Sequence, residues 1–293
     1  FELDEERPRT MPVEMGFRGQ RICVGFALAC AAFAWCLTLN PDFELADKTF
    51  ESALPATVWG LTFLSALLFF ASHWGTLKGH AIINPLLAVA VNLLGSLLIF
   101  NLNIPLYLDT AGTMFIAILY GPILGMGTSV LSVSLGAVSN PLGLAYVPNA
   151  VIVAYLVGWM ARRGVFKRMI ATLLSGYGLG IVAGLVSLGS TLVALDENLQ
   201  RGPRELTNFY LLIVHDETVA ALLQALSSDP IDKAFSLVLV CLAIRFAPKS
   251  LRYFFDRPET HPAVGRVLTE DRFTLSLDEE PAPSLLDRLQ RYL

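Results

Sequence analysis

The feature that most constrains this chain is a nearly continuous apolar body from about Ile22 to about Phe246, cut into segments of similar length by short polar breaks. A helix needs about 20 apolar residues to cross the roughly 30 Å hydrocarbon core of a bilayer. Only 16% of the 293 residues are charged and 54% are hydrophobic, whereas soluble domains carry about 25% charge. The expected class is an all-α integral membrane protein. The net charge of −4 is dominated by the polar ends and says little about partners, and no basic block suggests nucleic acid. The four cysteines, Cys23, Cys30, Cys36 and Cys241, sit in apolar segments without metal-binding spacing and read as small buried hydrophobes. No signal peptide is expected, because the first 21 residues are polar and the first apolar run is too long for one.

Eight spans are expected: Ile22–Leu39, Ala56–Ser72, Ile82–Leu102, Thr110–Tyr120, a fifth from Gly121-Pro122 to about Val138, Asn149–Ala161, Met169–Leu195 and Ile231–Phe246. The fourth is short enough to be tilted or incompletely spanning. A further apolar helix, Leu206–Leu226, carries His215, Asp216 and Glu217 in its middle, three adjacent polar groups that fit poorly in lipid. Lys and Arg concentrate on the cytoplasmic side of membrane proteins. Here they precede span one (Arg7, Arg9, Arg18, Arg21) and follow span two (Lys78), span six (Arg162, Arg163, Lys167, Arg168) and the last span (Arg245, Lys249, Arg252). The signs alternate correctly only if Leu206–Leu226 does not cross. The expectation is therefore a multi-pass protein of the cell (plasma) membrane with both termini cytoplasmic and an outer interfacial or re-entrant helix.

Asp109 is the only acidic residue between Glu51 and Asp196, and it stands at a Pro-marked break between two apolar stretches. An isolated carboxylate at that depth is expensive and is expected to face a cavity or a partner. It could also cap the helix that begins at Thr110; the two roles are compatible. On the expected topology Asp109, Asn140, Tyr146, Asn149 and His215 all fall on the outer side, and convergent polar groups in an apolar frame are the usual form of a small-ligand site. In span seven Gly176, Gly180 and Gly184 recur every four residues, a spacing that lets helix backbones approach closely. The polar tail ends in Leu285, Leu286, Leu289 and Leu293 on one helical face. No catalytic motif is present, so no enzyme activity, cofactor or metal is expected.

The stretch Ile104–Thr128 contains Pro105-Leu-Tyr-Leu-Asp109 and, a dozen residues later, Gly121-Pro122-Ile-Leu-Gly125; Asp229-Pro-Ile-Asp-Lys233 enters the last span. In this order and spacing the motifs resemble the substrate-binding S components of energy-coupling factor (ECF) transporters, in particular the riboflavin-type branch. The resemblance covers roughly residues 82–248 and implies a six-helix core there. Residues 22–81 would then add two N-terminal helices, 1–21 a cytoplasmic segment and 249–293 a cytoplasmic tail. It also implies a vitamin-like ligand held near the outer face, and a shared transmembrane scaffold and two ATPase subunits as partners in the lipid bilayer. Tyr107, Tyr146 and Phe209 would stack on a flat ligand, and Asp109, Asn140 and Asn149 would orient it, with His215 nearby. The Ala-x-x-x-Ala docking pair common in such proteins is missing from Ala81–Ala88. A different class of function, a membrane sensor or assembly subunit binding a lipid or a protein through the same fold, is consistent with the added helices and the amphipathic tail.

Overall fold

The computed structural model describes residues 17–44, 49–74, 77, 82–102, 106–138, 140–193 and 201–247. The amphipathic tail end lies outside the described residues. Within them the chain is helical: α1 (Phe17–Thr38), the short α2 (Pro41–Glu44), α3 (Ala53–Ser72), α4 (Ile83–Leu102), α5 (Ala111–Tyr120), α6 (Pro122–Gly136), a 3-10 turn (Pro141–Tyr146), α7 (Val147–Arg162), α8 (Met169–Val193), α9 (Arg201–Val214) and α10 (Glu217–Phe246). Four segments, Arg18–Thr38, Ala53–Ser72, Pro141–Arg162 and Met169–Ser190, are long and apolar enough to cross a membrane. Their outward faces carry exposed Ile22, Phe26, Leu64, Leu67, Leu173, Leu174 and Leu185. Apolar surface on this scale suits a bilayer rather than water.

The N-terminal pair α1 and α3 is packed into the rest of the bundle. Ala27, Ala31 and Ala34 line one face of α1 and are buried, and the Ser65 hydroxyl crosses from α3 to donate to the Ala27 carbonyl at 2.7 Å. Small side chains at this spacing let the two backbones close up. The pair then joins α6: Ala27, Ala66 and Phe69 share a core with Met126 and Val130, and the Trp59 indole donates to the Ser134 carbonyl at 2.8 Å.

α5 is the central element, with nine of its ten residues buried. Ten residues rise only about 15 Å, half the hydrocarbon thickness, so the fourth expected span does not cross by itself. It ends at Gly121, whose φ of 94° belongs to a region that glycine alone enters without strain. Pro122 then starts α6, where its fixed φ and missing N–H cost nothing.

The C-terminal region departs from the expected layout. Leu206–Leu226 is not one helix: α9 stops at Val214, His215 takes φ 55°, and the Asp216 carboxylate accepts from the Val219 N–H at 2.8 Å to begin α10. The polar His215-Asp216-Glu217 group is the exposed corner between two helices, which resolves its poor fit to a helix interior. The helix that contains Ile231–Phe246 likewise starts earlier, because α10 is 30 residues long and includes Asp229, Pro230, Asp232 and Lys233. Asp232 and Lys233 are tolerated because they are paired inside the bundle, as set out below. Gly176, Gly180 and Gly184 of α8 face α10; a Cβ on Gly180 would lie 2.3 Å from the Pro230 Cα, so these helices touch backbone to backbone.

Candidate functional site

Where α4 gives way to α5, residues 106–110 form no regular element, and Leu108 has a φ of 48°. α10 holds this segment in place. One oxygen of Asp232 accepts both the Tyr107 N–H at 3.0 Å and the Leu108 N–H at 2.8 Å. Its other oxygen accepts from Lys233 Nζ at 2.7 Å. The same ammonium donates to Asp109 Oδ1 and to the Thr110 hydroxyl, both at 3.2 Å. Lys233 is 3% exposed and Asp232 fully buried, while Asp109 remains 46% exposed. The unit is thus a buried cation, a buried carboxylate that also satisfies loop backbone, and a half-exposed carboxylate at its edge. Asp109 therefore pairs with Lys233 and does not cap α5.

The capping role falls to α4. The buried Asn92 side-chain oxygen accepts from the N–H groups of Gly112 at 2.7 Å and Thr113 at 3.3 Å, two of the donors that a helix start leaves free. Its amide nitrogen donates to the hydroxyls of Thr113 and Ser132, each at 2.9 Å. One side chain thereby ties α4, α5 and α6 together beside the charged unit.

Between α5, α6, α7, α8 and α10 these groups line a partly open cavity of about 90 Å³. Its wall holds Tyr107, Asp109, Tyr146 and Asn149, four of the residues expected at a binding site, together with Gln224, Asp229 and Lys233 from α10. Gln224 donates to the Tyr107 hydroxyl at 3.2 Å and to Ser228 at 2.6 Å. The hydroxyls of Thr113, Ser129, Ser132 and Ser187 and the aliphatic Val133, Ala150 and Val153 complete the lining. Asn149 carries a buried amide oxygen without a hydrogen-bond partner.

Three residues expected at the site lie elsewhere. Asn140 caps the 3-10 turn, its side-chain oxygen accepting from the Leu142 N–H at 3.1 Å, and it does not line the cavity. His215 is at the exposed α9–α10 corner. Phe209 is 56% exposed on α9, outside the cavity wall. Sequence reasoning left out Lys233, Asp229, Asp232, Gln224 and Asn92 as site residues. For the first three the signal was present: two carboxylates and an ammonium within five residues of an otherwise apolar segment. Compared with family models, curated proteins and solved structures, the chain matches none significantly.

Proposed function

We propose that this protein is the substrate-binding membrane subunit of an uptake system, capturing a small vitamin-like molecule in the cavity beside Lys233. The observation that carries this reading is the cavity itself, where charged, amide and phenolic groups from separate elements converge within an apolar bundle. Such convergence is the expected form of a small-molecule site. Eight spans with cytoplasmic termini, the fourth made by α5 together with the 106–110 segment, agree with the cluster of Arg162, Arg163, Lys167 and Arg168 between α7 and α8. On that topology Lys233 lies 13 residues before the cytoplasmic end of α10 at Phe246, about 20 Å into a core of about 30 Å. The site then sits in the outer half of the membrane. The cavity of about 90 Å³ is smaller than the roughly 300 Å³ or more of pockets that enclose drug-sized ligands. A vitamin-sized molecule therefore requires the cavity to widen. The ECF-like motifs, two of which border this cavity, support a transmembrane scaffold and two ATPase subunits as partners.

Purification in mild detergent, followed by denaturation and mass spectrometry of released small molecules, tests the reading. A stoichiometric vitamin-sized compound, with ATPase subunits recovered from native membranes, is the expected result. Release of phospholipid alone, with no rise in melting temperature on adding a vitamin panel, favours the second reading, a sensor or assembly subunit. One observation supports that alternative: α9 presents Phe209, Leu212 and Ile213 as a continuous exposed apolar face.

A further inference from the structure

We propose that the ligand of this cavity presents a positively charged nitrogen, an ammonium or guanidinium group, to Asp229. The inference rests on the reading of the cavity as a ligand site and narrows its substrate class.

The argument follows from which polar groups are already spent. A lysine ammonium has three N–H donors, and those of Lys233 go to Asp232, Asp109 and Thr110. None remains for an anionic ligand. Asp232 is equally committed, with two backbone N–H groups on one oxygen and the ammonium on the other. Asp229 differs. It is 4% exposed and lines the cavity, and none of the three Lys233 bonds reaches it. Gly184 leaves it room: a Cβ there would lie 3.4 Å from the Asp229 Oδ2.

Asp109 and Asp232 pair with the one ammonium, and Asp229 stands one helical turn before Lys233 on α10 without a bond to it. A buried carboxylate without its own counter-charge is costly, and a ligand cation offsets that cost. An independent observation agrees. Asn149, on the same wall, carries a buried amide oxygen with no donor, and an N–H-rich ligand supplies donors. The cavity also has an aliphatic side formed by Val133, Ala150 and Val153. A nitrogen cation bearing carbon fits a wall that is acidic on one side and apolar on the other better than a bare metal ion does.

The test uses the full chain in detergent at constant ionic strength. Its melting temperature and its calorimetric response are measured with millimolar ethylammonium, methylguanidinium, propionamide, acetate and sodium. Ethylammonium or methylguanidinium should stabilise the protein, and propionamide, acetate and sodium should not. Asp229→Asn should weaken the response about tenfold or more, the usual effect of losing a charged hydrogen-bond partner, while Asp216→Asn at the distant α10 cap should leave it unchanged. Should Asp229→Asn fold poorly, Asn149→Leu removes the unpaired amide oxygen from the same wall and should still weaken the response. Equal stabilisation by propionamide or acetate, an equal effect of sodium, or an undiminished response in both Asp229→Asn and Asn149→Leu overturns the proposal. A neutral or anionic vitamin released in stoichiometric amount sinks the cationic inference while sustaining uptake. Cation binding without any vitamin-sized ligand does the reverse.

Discussion

Replacing Lys233 with Met tests the charged unit most directly, because Met keeps the length and apolar stem of the side chain and removes only the ammonium. The substitution leaves the fully buried Asp232 carboxylate with two backbone donors and no cation. Breaking a buried pair by removing one partner costs about 3–5 kcal/mol, because the remaining charge stays buried. Asp109→Asn removes the other carboxylate from the same ammonium, but that carboxylate is 46% exposed, so solvent screening holds its cost to about 1 kcal/mol or less. At about 2–4 °C per kcal/mol for a chain of this order of size, Lys233→Met should lower the melting temperature by roughly 6–20 °C, and Asp109→Asn by less than about 4 °C. Adding Asp232→Asn to Lys233→Met should recover more than half of the loss, since an Asn oxygen can still accept from Tyr107 and Leu108 while no buried charge remains. The assay is tryptophan-fluorescence melting in detergent, checked by size-exclusion recovery after heating. A Lys233→Met protein that melts within about 2 °C of the parent, or a double variant no more stable than Lys233→Met alone, would refute the reasoning.

Asn92→Leu should destabilise the bundle by about 2–4 kcal/mol in the same assay, since it strands two α5 N–H groups in a dry interior; an unchanged melting temperature would count against the α4 cap. Gly180→Ala places a Cβ 2.3 Å from the Pro230 Cα and should cost about 1–3 kcal/mol or more. Gly178→Ala on the same helix meets nothing within 4 Å and should be neutral or gain up to about 1 kcal/mol of helix propensity; equal effects of the two would argue against close α8–α10 contact. His73, just beyond α3, is held below the ordinary histidine pKa by burial first and by the Arg162 guanidinium second. The unfolded chain then binds the proton more readily, so stability is full above an unfolded pKa of about 6.5 and declines as pH falls below it. His73→Gln should flatten that acid-side decline in melting temperature between about pH 7 and 5.

Much of the bundle was legible because one strong signal, apolar length, decides where helices cross. Ile22–Leu39 and Ala56–Ser72 correspond to α1 and α3, and Met169–Leu195 to α8, with boundaries shifted by a few residues. The same signal failed for α10. Asp229, Asp232 and Lys233 lower the local hydropathy, so the apolar run seemed to begin at Ile231, and Leu206–Leu226 absorbed what is really the first third of the helix. What the 106–110 segment, more than 120 residues away, compensates is Asp232 and Lys233, and no local pattern reports a contact of that range. Asp109 stood out by its isolation, yet its partner did not, because a lysine beside an aspartate resembles an ordinary exposed pair. Asn92 gave even less warning: it is a single amide in an apolar run, and its four hydrogen bonds depend wholly on what α5 and α6 bring to it.

The position of Lys233 near the end of the bundle also sets an order of assembly. Synthesis delivers α4, the 106–110 segment and α5 well before α10, so Tyr107 and Leu108 wait for their acceptor and Asp109 for its cation. α10 arrives with Asp232 and Lys233 already adjacent in sequence and bonded at 2.7 Å in the finished protein. The helix therefore carries the counter-charge of Asp232 with it. Only its docking against α8 and α5 closes the cavity. The charged wall of the cavity is therefore assembled only after the 106–110 segment and α5 have been made.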